Sequence, residues 1–443
     1  MPVSGWTGKL QGIGNGGFAG SISFGGLADS VRHGYAAAST DTGHTGTDAS
    51  WALGHPEKIV DYGHRAIHET AVKAKAIIAA YYGSAPKRSY FSSCSNGGRQ
   101  GLMEAQRYPE DYDGIIAGAP ANYWTHLLAT FASDILATAS GSAGYIPSSK
   151  LPAIQAAALR ACDANDAVSD GVIENPAQCR LDSSALECQA AESDGCLTAP
   201  QVQSLKKIYD GLRDQSGKQI FPGFSPGGEA EAGGWGPWIT GPGPEKSAIF
   251  FFATNFFRNM VFNDPAWDYR TFSLDRDLKA ATKLAGVLNA TDPDLRRFQA
   301  RGGKLILYHG WSDAAIPAQN AIDYYQSVVK KIGRKKNSSF VRLYMVPGMQ
   351  HCGGGSGPNS FGQGGVPRGD ASRDVAAALE RWVEQGVAPE EIIATKFKSG
   401  TNPASGIVRT RPLCPYPMVA RYKGTGSTDD AANFECAAPA KAR

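Results

Sequence analysis

Long apolar runs are missing from this chain. The strongest, Ala76 to Tyr82 and Ala248 to Ala253, fall far short of the ~20 residues that a membrane-spanning helix needs. An excess of one charge is missing too. Lys+Arg 44 against Asp+Glu 41 leaves +3, which gives no reason to expect a nucleic-acid or anionic-membrane partner. None of the eight cysteines forms a C-x-x-C pair, so a zinc ribbon or a thioredoxin-type motif is not expected. The first residues, Met1-Pro2-Val3-Ser4-Gly5-Trp6, carry neither a basic nor an apolar leader region. An exported form would therefore have had its signal peptide removed. Hydrophobic residues at 42% and charged residues at 19% exclude a disordered or coiled-coil chain. A length of 443 residues suffices for a large core.

The cysteines themselves are informative. Cys162 with Cys179, Cys188 with Cys196, and Cys414 with Cys436 make three local pairs. Cys94 and Cys352 remain and must pair over a long range or stay free. Full pairing implies an oxidising compartment, hence a secreted or periplasmic protein.

Strand and helix patterns alternate over residues 7–125. Strands are expected at Lys9–Ile13, Gly34–Ser39, Lys87–Ser92 and Gly114–Ala117, with helices at Asp61–Tyr82 and Gly97–Tyr108. The rhythm returns from Gly303, with strands Lys304–Tyr308 and Val341–Val346 and helices Ala318–Ile332 and Asp374–Gln385. This is an α/β pattern with a mostly parallel sheet. Residues 122–291 break it and read as an inserted domain within a discontinuous one formed by 1–121 and 292–443. Between Phe221 and Phe272, 13 of 52 residues are aromatic, far above the chain's 10%. Most should form the insert's core, and a few could line a pocket for an aromatic ligand.

Ser93-Cys94-Ser95-Asn96-Gly97 lies between an expected strand and an expected helix. That is the setting of a nucleophile elbow, although Ser93 replaces the first Gly of G-x-S-x-G. In this chain order the acid should follow and the histidine come last. Asp313 follows the strand Lys304–Tyr308, and His351 follows Val341–Val346. His309 is a rival base but precedes Asp313. Cys94 directly precedes Ser95 and Cys352 directly follows His351. If the serine and histidine meet, those two cysteines gain a partner. The Asn96 N–H and one from Gly16 or Gly17, in the loop Gly14-Asn15-Gly16-Gly17, could form an oxyanion hole. The same loop is a poor phosphate cradle, since no Lys-Ser/Thr follows it.

Asp163, Asp166 and Asp170 crowd one loop inside the Cys162–Cys179 interval. Such crowding suits a hard cation such as calcium, with backbone carbonyls from Val168 and Val172 completing the set. An EF-hand fits poorly, because Ala167 and Val168 stand where a ligand and a glycine belong.

Taken together, Cys94-Ser95-Asn96-Gly97-Gly98, Asp313, His351-Cys352, the loop Cys162 to Val172 and Gly14-Asn15-Gly16-Gly17-Phe18-Ala19-Gly20 resemble the tannase and feruloyl esterase family of α/β-hydrolases. The resemblance covers essentially the whole chain. It implies an α/β-hydrolase fold with an inserted lid domain, a structural Ca2+ and a disulfide between the cysteines beside Ser95 and His351. It also implies hydrolysis of aromatic-acid esters: gallates, hydroxycinnamates such as ferulate, or mono(2-hydroxyethyl) terephthalate. The substrate would be a small aromatic ester, free or attached to plant polysaccharide or polyphenol. Family members usually carry a further N-terminal segment with extra cysteines, so this chain reads as truncated or as a short variant. That puts the stability of its first strand in doubt. The expectation is an acyl-enzyme mechanism with Ser95 as nucleophile, His351 as base and Asp313 orienting it. Trp235, Trp238, Phe256 and Phe257 are candidate acyl-pocket residues, and Arg258 a candidate carboxylate or phenol partner. A serine peptidase on the same fold is a rival, as is a non-catalytic calcium-dependent carbohydrate binder.

Overall fold

The computed structural model describes residues 1–139 and 143–439. Its strands are β1 (Lys9–Ile13), β2 (Ala36–Ser39), β3 (Arg88–Cys94), β4 (Gly114–Gly118), β5 (Leu212–Arg213), β6 (Gln219–Phe221), β7 (Lys304–Gly310), β8 (Val341–Val346), β9 (Ile392–Phe397), β10 (Ile407–Leu413), β11 (Val419–Tyr422) and β12 (Phe434–Ala437). Six of them form one sheet in the order β2-β1-β3-β4-β7-β8. Every pairing in it is parallel. The central strands Gly-Ile-Ile-Ala-Gly and Lys-Leu-Ile-Leu-Tyr-His-Gly are buried almost throughout, as strands covered on both faces must be. Phe91, Ile115, Leu305 and Leu307 pack with Leu102 of the helix Asn96–Arg107 and Ile322 of the helix Ala318–Ile332. Tyr90, Ile116, Ile306 and Tyr308 face the other way, against Leu379 and Trp382 of the helix Val375–Gln385. The Asp374 carboxylate starts that helix by accepting the N–H groups of Ala376 and Ala377.

Two expected elements differ. The strand expected to end at Ser92 continues to Cys94, so Ser93 and Cys94 stay in register with Ala117 and Gly118. The helix expected over Asp61–Tyr82 opens with a wide π turn at Asp61–Arg65 before the regular helix Ala66–Tyr82. Tyr62 in that turn is fully buried beside the elbow helix.

The chain leaves the sheet after β4 and returns at β7. The helices Trp124–Thr138, Leu151–Cys162, Ala199–Asp210 and Ala248–Asn255 lie in between. Their shared core joins Leu128, Phe131, Leu205, Phe256 and Phe257 to Phe18, Trp51 and Tyr62 from the first part of the chain. The C-terminal strands pair as two antiparallel ribbons, β9 with β10 and β11 with β12. They grip the inserted segment, where Val168 packs on Cys414, Ala420 and Phe434. Four disulfides form: Cys94–Cys352, Cys162–Cys179, Cys188–Cys196 and Cys414–Cys436. Among the described residues no helix is long and apolar enough to cross a membrane.

Candidate active site

Ser95 stands between β3 and the helix Asn96–Arg107 with φ 65° and ψ −127°. A positive φ at a non-glycine residue is costly, and at a strand-to-helix turn it lifts the side chain off the sheet. Its N–H donates to the Gly118 carbonyl at 2.9 Å, and its carbonyl accepts from Ala121 at 3.2 Å. The missing first glycine of the motif is offset at Gly97. A Cβ there would stand 1.9 Å from Ser93 Oγ, so the absent side chain at 97 makes room for Ser93.

His351 and Asp313 follow β8 and β7 at the same carboxyl edge of the sheet. His351 Nδ1 lies 2.8 Å from Asp313 Oδ2. A carboxylate only accepts, so Nδ1 carries a proton and donates it to this bond. Asp313 is buried, and its Oδ1 accepts from the N–H groups of Ala315 (2.8 Å) and Ile316 (2.9 Å). Burial would raise its pKa. The charge of His351 and the hydrogen bonds from His309 and His351 outweigh that and hold it well below the usual range. Ser95 Oγ makes no hydrogen bond to His351 in this structure. The Cys94–Cys352 bridge, next to both residues, sets the Cα atoms of the two cysteines 5.9 Å apart.

His309, the rival base, is fully buried. Its Nε2 faces the Ile316 carbonyl at 3.0 Å and Asp313 Oδ2 at 3.2 Å. Both are acceptors, so Nε2–H is a donor that braces Asp313 from behind. Spacing alone did not reveal this second histidine on the carboxylate.

Gly17 and Ser95 line one cavity with an empty volume of about 320 Å3. Gly16 is exposed and does not border it, so Gly17 is the member of the loop placed at the serine. The Gln100 side chain fixes that loop by accepting from Asn15 N–H (3.1 Å) and donating to Asn15 Oδ1 (2.7 Å). The Tyr62 hydroxyl bridges the Gly17 carbonyl (3.0 Å) and Asn96 Oδ1 (3.1 Å). The buried Arg99 guanidinium holds Asn96 Oδ1 at 2.8 Å. Asn96 is the first residue of its helix, where the N–H has no partner within the helix.

Of the candidate pocket residues, only Trp238 borders the cavity. Its ring meets His351 edge-on at 5.1 Å and stacks parallel to Phe252 at 6.1 Å. Trp235, Phe256 and Phe257 do not border it. They are buried in the core of the inserted segment, because their faces of the chain turn toward Tyr209, Phe224 and Trp267. Arg258 does not border it either, and its Nε donates to the Trp267 carbonyl at 2.8 Å. The wall is built instead by Trp124, Leu127, Leu128 and Phe131 of one helix, with Phe252 opposite. The residues of that helix wall recur at the 3.6-residue period of a core-facing stripe, so nothing in the sequence marked them as pocket.

The loop Asp163–Val172 closes on itself. Asp163 accepts from the N–H groups of Asp170 (3.3 Å) and Gly171 (3.1 Å), and Asp166 accepts from Val168 (3.1 Å). Asp170 pairs with Arg409 (2.9 Å) and Arg411 (2.7 Å), a neutralisation the local sequence did not disclose. Among the described residues, the His, Cys, Asp and Glu groups that converge within 4.8 Å are His68, Glu104 and Asp111, not these three aspartates. The donor chemistry still suits a divalent ion. Asp163, Asp166, Asp170 and the buried Glu174 share this region with two guanidiniums: Arg411 also lies 3.9 Å from Glu174, and Arg409 also pairs with Asp429. Burial, then the Asp170 charge, pushes Asp166 up to about 6; burial pushes Glu174 up to about 8, against the pull of Arg411.

A family model described as tannase and feruloyl esterase matches residues 1–437. The chain belongs to the tannase and feruloyl esterase family. It is 44% identical to an uncharacterized esterase of Xanthomonas campestris, over 98% of this chain and 80% of that protein. It is 32% identical to a probable feruloyl esterase B-2 of Aspergillus terreus, over 97% of this chain and 81% of that one. Feruloyl esterase B of Aspergillus oryzae superposes with a TM-score of 0.91 at 30% identity, covering 98% of this chain and 86% of that one. Tannin acyl hydrolase of Aspergillus niger shares the fold, with a TM-score of 0.78 at 24% identity over 98% and 81%. As a member of the tannase and feruloyl esterase family this chain is a carboxylic ester hydrolase of α/β fold, in a family that acts on aromatic-acid esters.

Proposed function

We propose that the chain hydrolyses esters of aromatic acids through a serine acyl-enzyme. Ser95 Oγ attacks the ester carbonyl, and His351 Nε2 takes its proton. Asp313 keeps the imidazole oriented and stabilises its positive form. The N–H groups of Asn96 and Gly17 receive the developing oxyanion. His351 then protonates the leaving alcohol, and water releases the acid by the same steps in reverse. The observation that carries this reading is the hydrogen bond of His351 Nδ1 to a buried, ionised Asp313, with Ser95 raised on the adjoining elbow. Ser95→Ala should keep its melting temperature and lose kcat on methyl ferulate by a factor on the order of 10⁴ or more. Wild-type turnover in that variant would overturn the mechanism.

Residues 122–291 act in this proposal as a lid that supplies the acyl pocket. The support is that Trp124 to Phe131 and Trp238 reach the cavity at Ser95. Asp163, Asp166 and Asp170, with the Val168 and Val172 carbonyls, would hold a structural calcium ion. It would balance the surplus acidic charge where the insert meets β10. Four disulfides support an extracytoplasmic location.

A further inference from the structure

The cavity at Ser95 has a chemical bias that the family assignment does not contain. Its walls are Trp124, Leu127, Leu128 and Phe131 on one side and Trp238 and Phe252 on the other, closed by alanines and Ile316. Besides Ser95, the wall residues that carry a polar side-chain atom are Trp124 and Trp238. An indole donates and cannot accept. The Trp124 Nε1 is buried and has no partner within the protein. The Gly17 carbonyl already accepts from Tyr62. Arg258, the cation with which an acidic ring substituent could have paired, lies off the wall and is bound to Trp267. Apart from Ser95, the described wall side chains thus offer neither an acceptor for phenolic O–H groups nor a positive charge.

We propose that this acyl site selects weakly polar aromatic acids and discriminates against trihydroxylated and carboxylate-bearing rings. The proposal rests on the reading of Ser95 as the nucleophile, since that reading makes this cavity the acyl site. A hydroxyl buried without an acceptor loses its hydrogen bonds to water and regains none. Each one costs about 5- to 150-fold in affinity. A galloyl ring carries three. A terephthalate monoester carries a full negative charge, whose transfer to an apolar wall costs more again. A benzoyl or cinnamoyl ring meets no such penalty and gains from aromatic contact with Trp238 and Phe252. An apolar pocket rejects an added hydroxyl by about 10²-fold, so the discrimination expected here is of that order.

The test uses Ser95→Ala protein, so that binding is measured without turnover. Titration calorimetry compares esters of similar size: methyl 3,4,5-trimethylbenzoate with methyl gallate, and methyl 4-methylbenzoate with monomethyl terephthalate. The expected result is that the weakly polar member of each pair binds at least about 10²-fold more tightly. Equal or tighter binding of methyl gallate or of monomethyl terephthalate overturns the proposal. That outcome does not depend on whether Ser95→Ala has lost activity, which is the separate test of the nucleophile.

Discussion

Cys94 and Cys352 are bonded across 258 residues of sequence, the first next to Ser95 and the second next to His351. The bridge ties the last residue of β3 to the loop after β8, which lie on different strands of the sheet. The inserted segment holds the same loop from outside. Gln350 Nε2 donates to the Gly228 carbonyl at 2.7 Å, and Glu231 accepts from the Ser356 N–H at 3.0 Å. His351 is therefore located by two anchors, one covalent and one polar.

The bridge should matter to rate as well as to folding. Closing a loop of 258 residues restricts the unfolded chain by about 5.6 kcal/mol in the chain-entropy model, before any strain in the fold is subtracted. A displacement of about 1 Å between serine and histidine can cost ~10² in rate. The double variant Cys94→Ala/Cys352→Ala should therefore lose kcat by roughly that factor at a temperature where circular dichroism shows it folded. A normal kcat there would make the bridge a stability element alone.

His309 should act as a positioning residue through Asp313. Its replacement by Phe removes the Nε2–H donor behind the carboxylate and should lower kcat by about 10- to 100-fold with KM little changed. His309→Gln, which can still donate, should recover part of the loss. Steady-state kinetics on the two variants decide this. Equal activity in His309→Phe and wild type rules the role out.

Glu104 is buried on the elbow helix with neither carboxyl oxygen hydrogen-bonded. Burial first, and then the charge of Asp111, raises its pKa well above 4.5. Ionisation is free in the unfolded chain and opposed in the fold. The wild type therefore loses stability as pH rises from about 4.5 toward the folded value. Glu104→Gln does not titrate. Its melting temperature relative to wild type should rise between pH 5 and pH 8. A difference that stays flat or falls over that interval contradicts the assignment.

Calcium should stabilise the junction between the loop Asp163–Val172 and β10. At a free concentration 100 times its Kd, a ligand specific to the folded state contributes about 2.7 kcal/mol. Chelation should lower the melting temperature by several degrees, and elemental analysis of the untreated protein should find calcium. Asp166→Asn should weaken that calcium response. An unchanged melting curve, with no calcium in the sample, removes the ion from the account.

Much of the site was legible because its chemistry is written in local patterns. A serine between β3 and its helix, an acid after β7 and a histidine after β8 are ordered by the topology of a parallel sheet. The cysteines beside Ser95 and His351 added a geometric constraint that spacing could carry. The aromatics of the inserted segment carried none. Trp235 and Trp238 are three residues apart, yet one is core and the other faces His351. Composition cannot separate them, because both burials use the same apolar surface. Arg258 looked available in sequence and proved to be spent on a backbone carbonyl.

The sequence by itself determined the six strands of the parallel sheet in their chain order, the candidate serine, aspartate and histidine, the three local cysteine pairs and the acidic loop. Each depends on neighbours close in sequence or on a rule of chain order. Only the tertiary structure decided which helix face lines the cavity at Ser95, that His309 braces Asp313, and that Arg409 and Arg411 reach Asp170 from some 240 residues away. Those contacts join segments whose approach is set by packing of the whole core, and no local spacing encodes where two distant surfaces meet.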